Sequence, residues 1–299
     1  MKMTARIKIL ILLAVLLLPA IVAAQGGTGL PFLKIGVGAR QAGMGLTFTG
    51  VGDDIFTLYT NPGGLGHLRR WQWAAAYNRW FTDVYQANLS FAKQYRIIGS
   101  RKTTFGAFVT YLGMPSWDST GGLDFEANAS HLVGGFSVAQ RLDWLSQSIS
   151  IGATIKGIYS KFDTYSAKAI AADVGILLKA PRFKLGLGPL EYGIITLGVS
   201  MLHIGQDITF DNESTSLPRT LVGGVSLKMG SYKTWSWLIA ADMYRIEKQD
   251  WRFSGAAELW WKEIIGIRAG YRFNDRDLGE LGFGISLRWD DVFLSLIHI

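Results

Sequence analysis

From Trp71 onward, apolar and polar residues alternate with a period of two. In Trp71–Asn78 the odd positions are aromatic or apolar and the even ones small or polar. Tyr85, Ala87, Leu89 and Phe91 stand against Gln86, Asn88 and Ser90, and Phe105, Ala107, Val109 and Tyr111 against Thr104, Gly106 and Thr110. Ile149, Ile151, Ala153 and Ile155 alternate with Ser150, Gly152, Thr154 and Lys156, and Leu221, Gly223, Val225 and Leu227 with Gly224, Ser226 and Lys228. Near the end, Ile265, Ile267, Ala269, Tyr271 and Phe273 oppose Gly266, Arg268, Gly270, Arg272 and Asn274. Leu281, Phe283, Ile285, Leu287 and Trp289 oppose Gly282, Gly284, Ser286 and Arg288. Successive side chains of a strand point to opposite faces, so each run reads as a two-faced strand of roughly ten residues. The pattern predicts twelve strands to Trp289 and a thirteenth from near Val292.

Alternation also describes a soluble sandwich, and three features favour a transmembrane antiparallel β-barrel instead. The apolar face collects aromatics at strand ends, where a bilayer interface places them; Trp251 and Trp261 bracket one strand on a single face. Ten residues span about 33 Å, and a tilt of about 40° leaves about 25 Å, the apolar height of such barrels. The other face carries charges among glycines, which a dry sandwich core does not bury unpaired and a wet lumen holds. Connections also differ by end: Met114–Ala129 and Gly205–Ser216 are long, the turns near Gly230 and Lys262 short, and Ala180–Leu190 a medium-length exception. A barrel needs an even strand number to leave no edge in lipid. The chain is therefore expected to be a fragment lacking its closing strand, with a last few residues foreign to it.

Two segments precede the strands. Residues 1–24 read as a secretory signal peptide: Lys2, Arg6 and Lys8 are basic, Ile9–Leu18 is apolar, Pro19 ends the run, and Val22, Ala23 and Ala24 offer a cleavage site before Gln25. The apolar run is too short to span a bilayer as a helix, which takes about 20 residues. Residues 25–70 are glycine-rich without a clean period, and end in Asn61-Pro62-Gly63-Gly64-Leu65. Irregular backbone suits the inside of a barrel, where lumen groups and water satisfy it. The organisation read here is a signal peptide at 1–24, a plug at 25–70 and a barrel at 71–299.

The segment carries a resemblance. Phe32-Leu33-Lys34-Ile35-Gly36-Val37-Gly38-Ala39-Arg40, Met44-Gly45, Asp53-Asp54 and the Asn61-Pro62 turn resemble the start of the PorV/PorQ outer-membrane proteins, relatives of the FadL-type fatty-acid transporters. Ile155–Asp163 with Ala171–Gly175, and Trp260-Trp261-Lys262 through Phe273, are similar to two of that family's hairpins. The family more often has Asn-Pro-Ala-Gly where Gly63 stands here, and an aromatic where Thr60 does. The resemblance implies fourteen strands and a place in the outer membrane, with membrane lipid as the surroundings. It also implies a non-enzymatic role in type IX protein secretion, with secreted cargo or other secretion components as partners. The alternative it implies is FadL-like passive transport of hydrophobic ligands.

Composition changes the picture little. Charged residues are 18%, below the roughly 25% of soluble domains, with 36 glycines and 11 tryptophans. The net charge of +7 suits anionic partners such as lipid head groups, though part of it belongs to the leader. No cysteine is present, which excludes disulfides and thiol chemistry. His67, His131, His203 and His298 lack metal-ligand spacing, so neither a metal nor any other cofactor is expected. Ser130 and His131 point to opposite faces of a strand and make no dyad, and no other enzyme signature emerges. Gly36-Val37-Gly38 and Gly50-Val51-Gly52 complete no nucleotide-binding fingerprint, and no basic–aromatic run suggests nucleic acid. The candidate residues are the plug motif (Asp53, Asp54, Asn61, Pro62, Gly63 and Gly64) and, facing the lumen, Asp173, Asp242, Arg252, Glu258, Arg268, Arg272 and Arg288. The latter are either barrel-filling ion pairs or a ladder gripping the plug or an anionic head group. Asp53 and Asp54 either pair with lumen arginines or cap a helical turn.

Overall fold

The computed structural model describes residues 28–68, 70–79, 84–96, 102–118, 126–144, 147–187, 190–211, 213–231, 234–273 and 280–298. The predicted signal peptide (1–24) lies outside the described residues. The strands are β1 (Gln72–Arg79), β2 (Tyr85–Arg96), β3 (Lys102–Asp118), β4 (Glu126–Trp144), β5 (Gln147–Phe162), β6 (Tyr165–Lys179), β7 (Phe183–Leu187), β8 (Leu190–Gly205), β9 (Ile208–Phe210), β10 (Glu213–Thr215), β11 (Thr220–Gly230), β12 (Trp235–Ile246), β13 (Trp251–Trp261), β14 (Ile265–Arg272), β15 (Glu280–Trp289) and β16 (Val292–His298).

The protein is all-β. Fourteen of these strands form one antiparallel sheet, in the order β1-β2-β3-β4-β5-β6-β8-β11-β12-β13-β14-β15-β16, with β7 paired beside the start of β8. The continuous path has twelve strands to Trp289 and a thirteenth from Val292, as the alternation predicts. Its connections differ from the expectation. β3 and β4 run on, through a register shift after Met114, into the stretch read as a long loop. Gly205–Ser216 contains the β9–β10 hairpin, and Ala180–Leu190 contains β7. Backbone groups in these connections find ladder partners instead of relying on water alone.

The sheet curls around the N-terminal segment. A methyl on Gly106 of β3 would meet Leu58, and one on Gly43 would lie 3.3 Å from the Gly284 backbone of β15. One short segment thus touches strands near both ends of the sheet. The curl brings the sheet's edges near each other: Arg70, just before β1, pairs with Asp291 in the β15–β16 turn at 2.8 Å. The sheet is nevertheless not closed as a barrel, and no ladder joins β16 to β1 among the described residues.

The two faces are chemically inverted relative to a water-soluble sheet. The convex face exposes Ile267, Phe283, Ile285 and Leu287, each about half accessible. The concave face buries Asp173, Asp242, Glu258 and Arg268. The only second sheet among the described residues is the β9–β10 pair, so no sandwich partner covers the convex face. An exposed apolar surface of this extent is unusual for a soluble monomer and marks an interaction surface.

Candidate functional site

The site is the concave face and the segment packed on it. Four short helical turns shape the segment: Pro31–Lys34, Ala39–Gly43, Thr57–Thr60 and Pro62–His67. Gly38, with φ of 97°, turns the chain into the second of them, a backbone geometry suited to glycine.

Strand glycines explain how the segment fits. A methyl on Gly152 would overlap the Pro62 carbonyl, one on Gly198 the Thr49 carbonyl, one on Gly270 Met44, and one on Gly282 the Ala42 carbonyl. Gly152 is paired with Gly175, Gly198 with Gly224, and Gly270 with Gly282. The small positions of the polar phase therefore form a collar where wall backbone meets segment backbone.

Polar bonds fix the segment within this collar. Asn61 is fully buried; its amide donates to the Thr49 and Ile176 carbonyls at 3.0 Å each, and its oxygen accepts from the Gly63 N–H. Pro62 opens the Pro62–His67 turn. Gly63 and Gly64 lie in that turn with negative φ, so they serve close approach rather than left-handed geometry: a methyl on Gly63 would crowd the Gly175 backbone. The Asp242 carboxylate of β12 accepts the N–H groups of Phe48 and Thr49 at 3.0 and 2.9 Å, a small anion nest turned inside out. Ser226 and Ser200 donate to the Gly50 and Thr60 carbonyls.

The strongest tie is ionic. Arg40 meets Glu258 of β13 at 2.6 Å, Asp53 at 2.5 Å and Asp54 at 2.8 Å. Glu258 is shared with Arg268 of β14 at 3.1 Å, and Arg268 also donates to the hydroxyls of Ser286 and Ser295. The arginine that Asp53 and Asp54 meet belongs to their own segment, not to the wall. Asp54 also accepts from the Phe56 N–H, but the Thr57–Thr60 helical turn has no side-chain cap, so of the two expected roles the ion pair is the one present. Burial opposes ionisation of Asp53, but Arg40 outweighs it, helped by Lys228 and Lys179, and holds this carboxyl at about 2. Burial, together with the neighbouring Asp53, raises Asp54.

On the other side of the segment lies a cavity of ≈ 140 Å³. Its lining mixes Phe32, Leu33, Ile35, Phe108 and Val222 with polar groups of the wall. Lys34 faces it, its ammonium disfavoured by burial and by Arg252 and Arg272, which lowers its pKa. Arg272 donates to the Tyr244 hydroxyl at 2.8 Å and stacks over its ring. A second buried cluster also borders the cavity: Lys156 of β5 bonds both Asp173 oxygens and lies 2.8 Å from His203 Nδ1. Asp173 accepts the His203 N–H where β6 and β8 slip register.

Of the predicted inward residues, Glu258 and Arg268 come together, Asp242 holds the segment, Asp173 joins Lys156, Arg272 lines the cavity, and Arg252 acts on Lys34 at its edge. Arg288 stands apart near the β13–β14 turn, 3.3 Å from Glu263 and over the Trp260 ring. Sequence reasoning misses Arg40, Lys156 and His203 as site residues. For the first, an arginine in a glycine-rich apolar stretch with two nearby acids is the available signal. His131 bonds Ser160 across the β4–β5 ladder at 2.7 Å and stacks on Phe32, with Ser130 taking no part. No group of metal-ligating side chains occurs among the described residues. No described helix is long and apolar enough to cross a membrane, which says nothing of strands.

Comparison with curated proteins finds no match. A family model does match: that of the uncharacterised protein family UPF0164, over residues 24–245, a span holding the whole segment and the wall as far as β12, so the chain belongs to that family.

Proposed function

We propose that this protein is a non-enzymatic outer-membrane β-barrel, plugged by its N-terminal segment, that passes hydrophobic small molecules passively. The observation that carries the reading is the cavity between segment and wall, mainly apolar in its lining but edged by Lys34 and Arg272. The inverted faces support the membrane setting, since apolar side chains outside and charges inside suit lipid around a wet lumen. The Arg70–Asp291 contact supports a sheet curled to near closure. A molecule with an apolar chain and a polar head matches such a lining, because a few placed polar groups orient a ligand that apolar walls retain.

The test is binding of a fluorescent long-chain carboxylate to the purified protein in detergent. Saturable binding is expected, lost when Val222→Trp fills the cavity. Binding unaffected by Val222→Trp would defeat the transport reading.

A second reading, a component of type IX-like protein secretion that holds cargo at the long-connection end, draws support from the length of β3 and β4. Their 17 and 19 residues exceed the 9–11 or so that span a bilayer, so the hairpin projects as a platform. Recovery of a secreted protein with the wild-type chain, and not with the projecting hairpin shortened, would favour it.

A further inference from the structure

We infer that the short-turn end of the sheet is a binding surface for anionic phospholipid head groups. This goes beyond insertion in a membrane and rests on the barrel reading above. The short-turn end is where β1, β3, β5, β8, β12, β14 and β16 begin, as the antiparallel ladders require.

Tryptophan marks that end. Trp71, Trp73, Trp235, Trp237, Trp261 and Trp289 are all exposed and all lie there, and among the described side chains no exposed tryptophan lies elsewhere. The opposite end exposes tyrosine and phenylalanine instead, such as Tyr77, Tyr165 and Phe253. Indole prefers the head-group level of a bilayer, with an apolar body and a polar N–H.

Cations accompany the indoles. Lys93 lies over the Tyr95 ring at 4.9 Å and Lys262 over the Trp261 ring at 5.0 Å. Both rings are on the convex face, about 40% exposed. Stacking holds each ammonium at the rim beside the aromatic that enters the lipid. Arg96 and Lys184 are exposed at the same end. Its acids are partly neutralised: Glu263 faces Arg288 and Asp291 pairs with Arg70, while Glu191 and Asp290 also lie there. At the long-connection end, exposed Asp207, Asp211, Glu213 and Asp250 offset Lys161, Lys168 and Lys248. A cation near an anionic lipid surface contributes about 1 kcal/mol, roughly fivefold in local enrichment. The occupant that matches an indole belt with a positive rim is a lipid whose phosphate diester keeps its charge.

The test uses the full chain reconstituted in phosphatidylcholine vesicles carrying equal fractions of either dibromo-phosphatidylglycerol or dibromo-phosphatidylcholine. Bromine quenches nearby indoles. The proposal expects stronger quenching by the glycerol lipid, with an advantage of roughly fivefold per cation in local enrichment. Lys93→Glu with Lys262→Glu should abolish the advantage while quenching by the choline lipid persists, which shows that the variant is inserted. Lys161→Glu with Lys168→Glu, at the other end, should leave it intact. Equal quenching by both lipids in the wild type would overturn the inference and leave the barrel standing. Absence of quenching by either would overturn both.

Discussion

The two halves of the N-terminal segment are held in different ways. Ala39–Leu68 sits in the glycine collar, tied through Arg40, Asn61 and the Asp242 nest. Pro31–Val37 borders the cavity; its neighbour Gly29 donates to the Ser216 carbonyl at 2.9 Å, and Phe32 stacks on His131 with ring centres 4.2 Å apart. Composition separates the halves only in part: Pro31–Val37 holds one glycine, Gly36, and Ala39–Leu68 holds seven. What separates them is whether the facing strand positions are bare. Bare strands let backbone meet backbone, whereas Phe108, Val222 and Tyr244 line the cavity, which Leu46, Thr49 and Tyr59 of the other half also border.

The contrast can be broken at its strongest point. Glu258→Ala leaves Arg40 and Arg268 buried beside each other without their shared carboxylate. The expected loss is about 3–5 kcal/mol, seen as easier denaturant unfolding and faster protease cleavage within residues 39–68. Unchanged unfolding would mean that the ionic tie does not hold the segment.

A gentler probe is the collar. Gly152→Val forces a side chain into the Pro62 carbonyl and should cost about 1–3 kcal/mol. A methyl on Gly157, on the same strand, would meet nothing within 4 Å, and Gly157→Val should stay within about 0.5 kcal/mol. Equal effects of the two would remove the distinction between collar and outer face.

Acid sharpens it further. Asp53 has a folded value of about 2, below its ordinary 3.8. Its contribution is therefore full above pH of about 4 and fades as the pH falls towards 2. Asp54 is shifted the other way, so its protonation begins earlier and offsets part of the loss. Pepsin cleavage in the Arg40–Leu68 stretch should rise between pH of about 4 and about 2, while the strands stay protected; a flat profile would contradict the Arg40–Asp53 tie.

The smallest effect belongs to the cavity half. Lys34→Ala relieves crowding among Lys34, Arg252 and Arg272, and should move stability by no more than about 0.5 kcal/mol. It should weaken binding of the carboxylate probe all the same. A large loss of stability would mean that Pro31–Val37 is clamped like the rest.

Strands are legible in the sequence because a period of two is local: Ile265 to Phe273 shows it within nine residues. Which strand ends extend is not, because pairing past Met114 depends on a bulge and a partner strand that local pattern does not contain. Parity alone places Asp173 on the inner face. It does not give the partners, since Lys156 is paired with Ala171 and reaches Asp173 diagonally, and His203 arrives through a register slip. The glycines of the polar phase are visible as small positions, but their reason, the approach of Thr49 and Pro62 from a remote segment, exists only in the assembled molecule. Asp53 and Asp54 stand out as a pair of adjacent acids while Arg40 does not, because charge complementarity within an irregular stretch has no period to reveal it.

The glycine collar has one further implication under the barrel reading. Where the wall carries only glycine it narrows the interior little, and much of the narrowing there comes from the segment lodged against it. On that reading, removing residues 28–68 should widen the path through the wall, and cells carrying the shortened protein should leak ions more than cells carrying the whole chain.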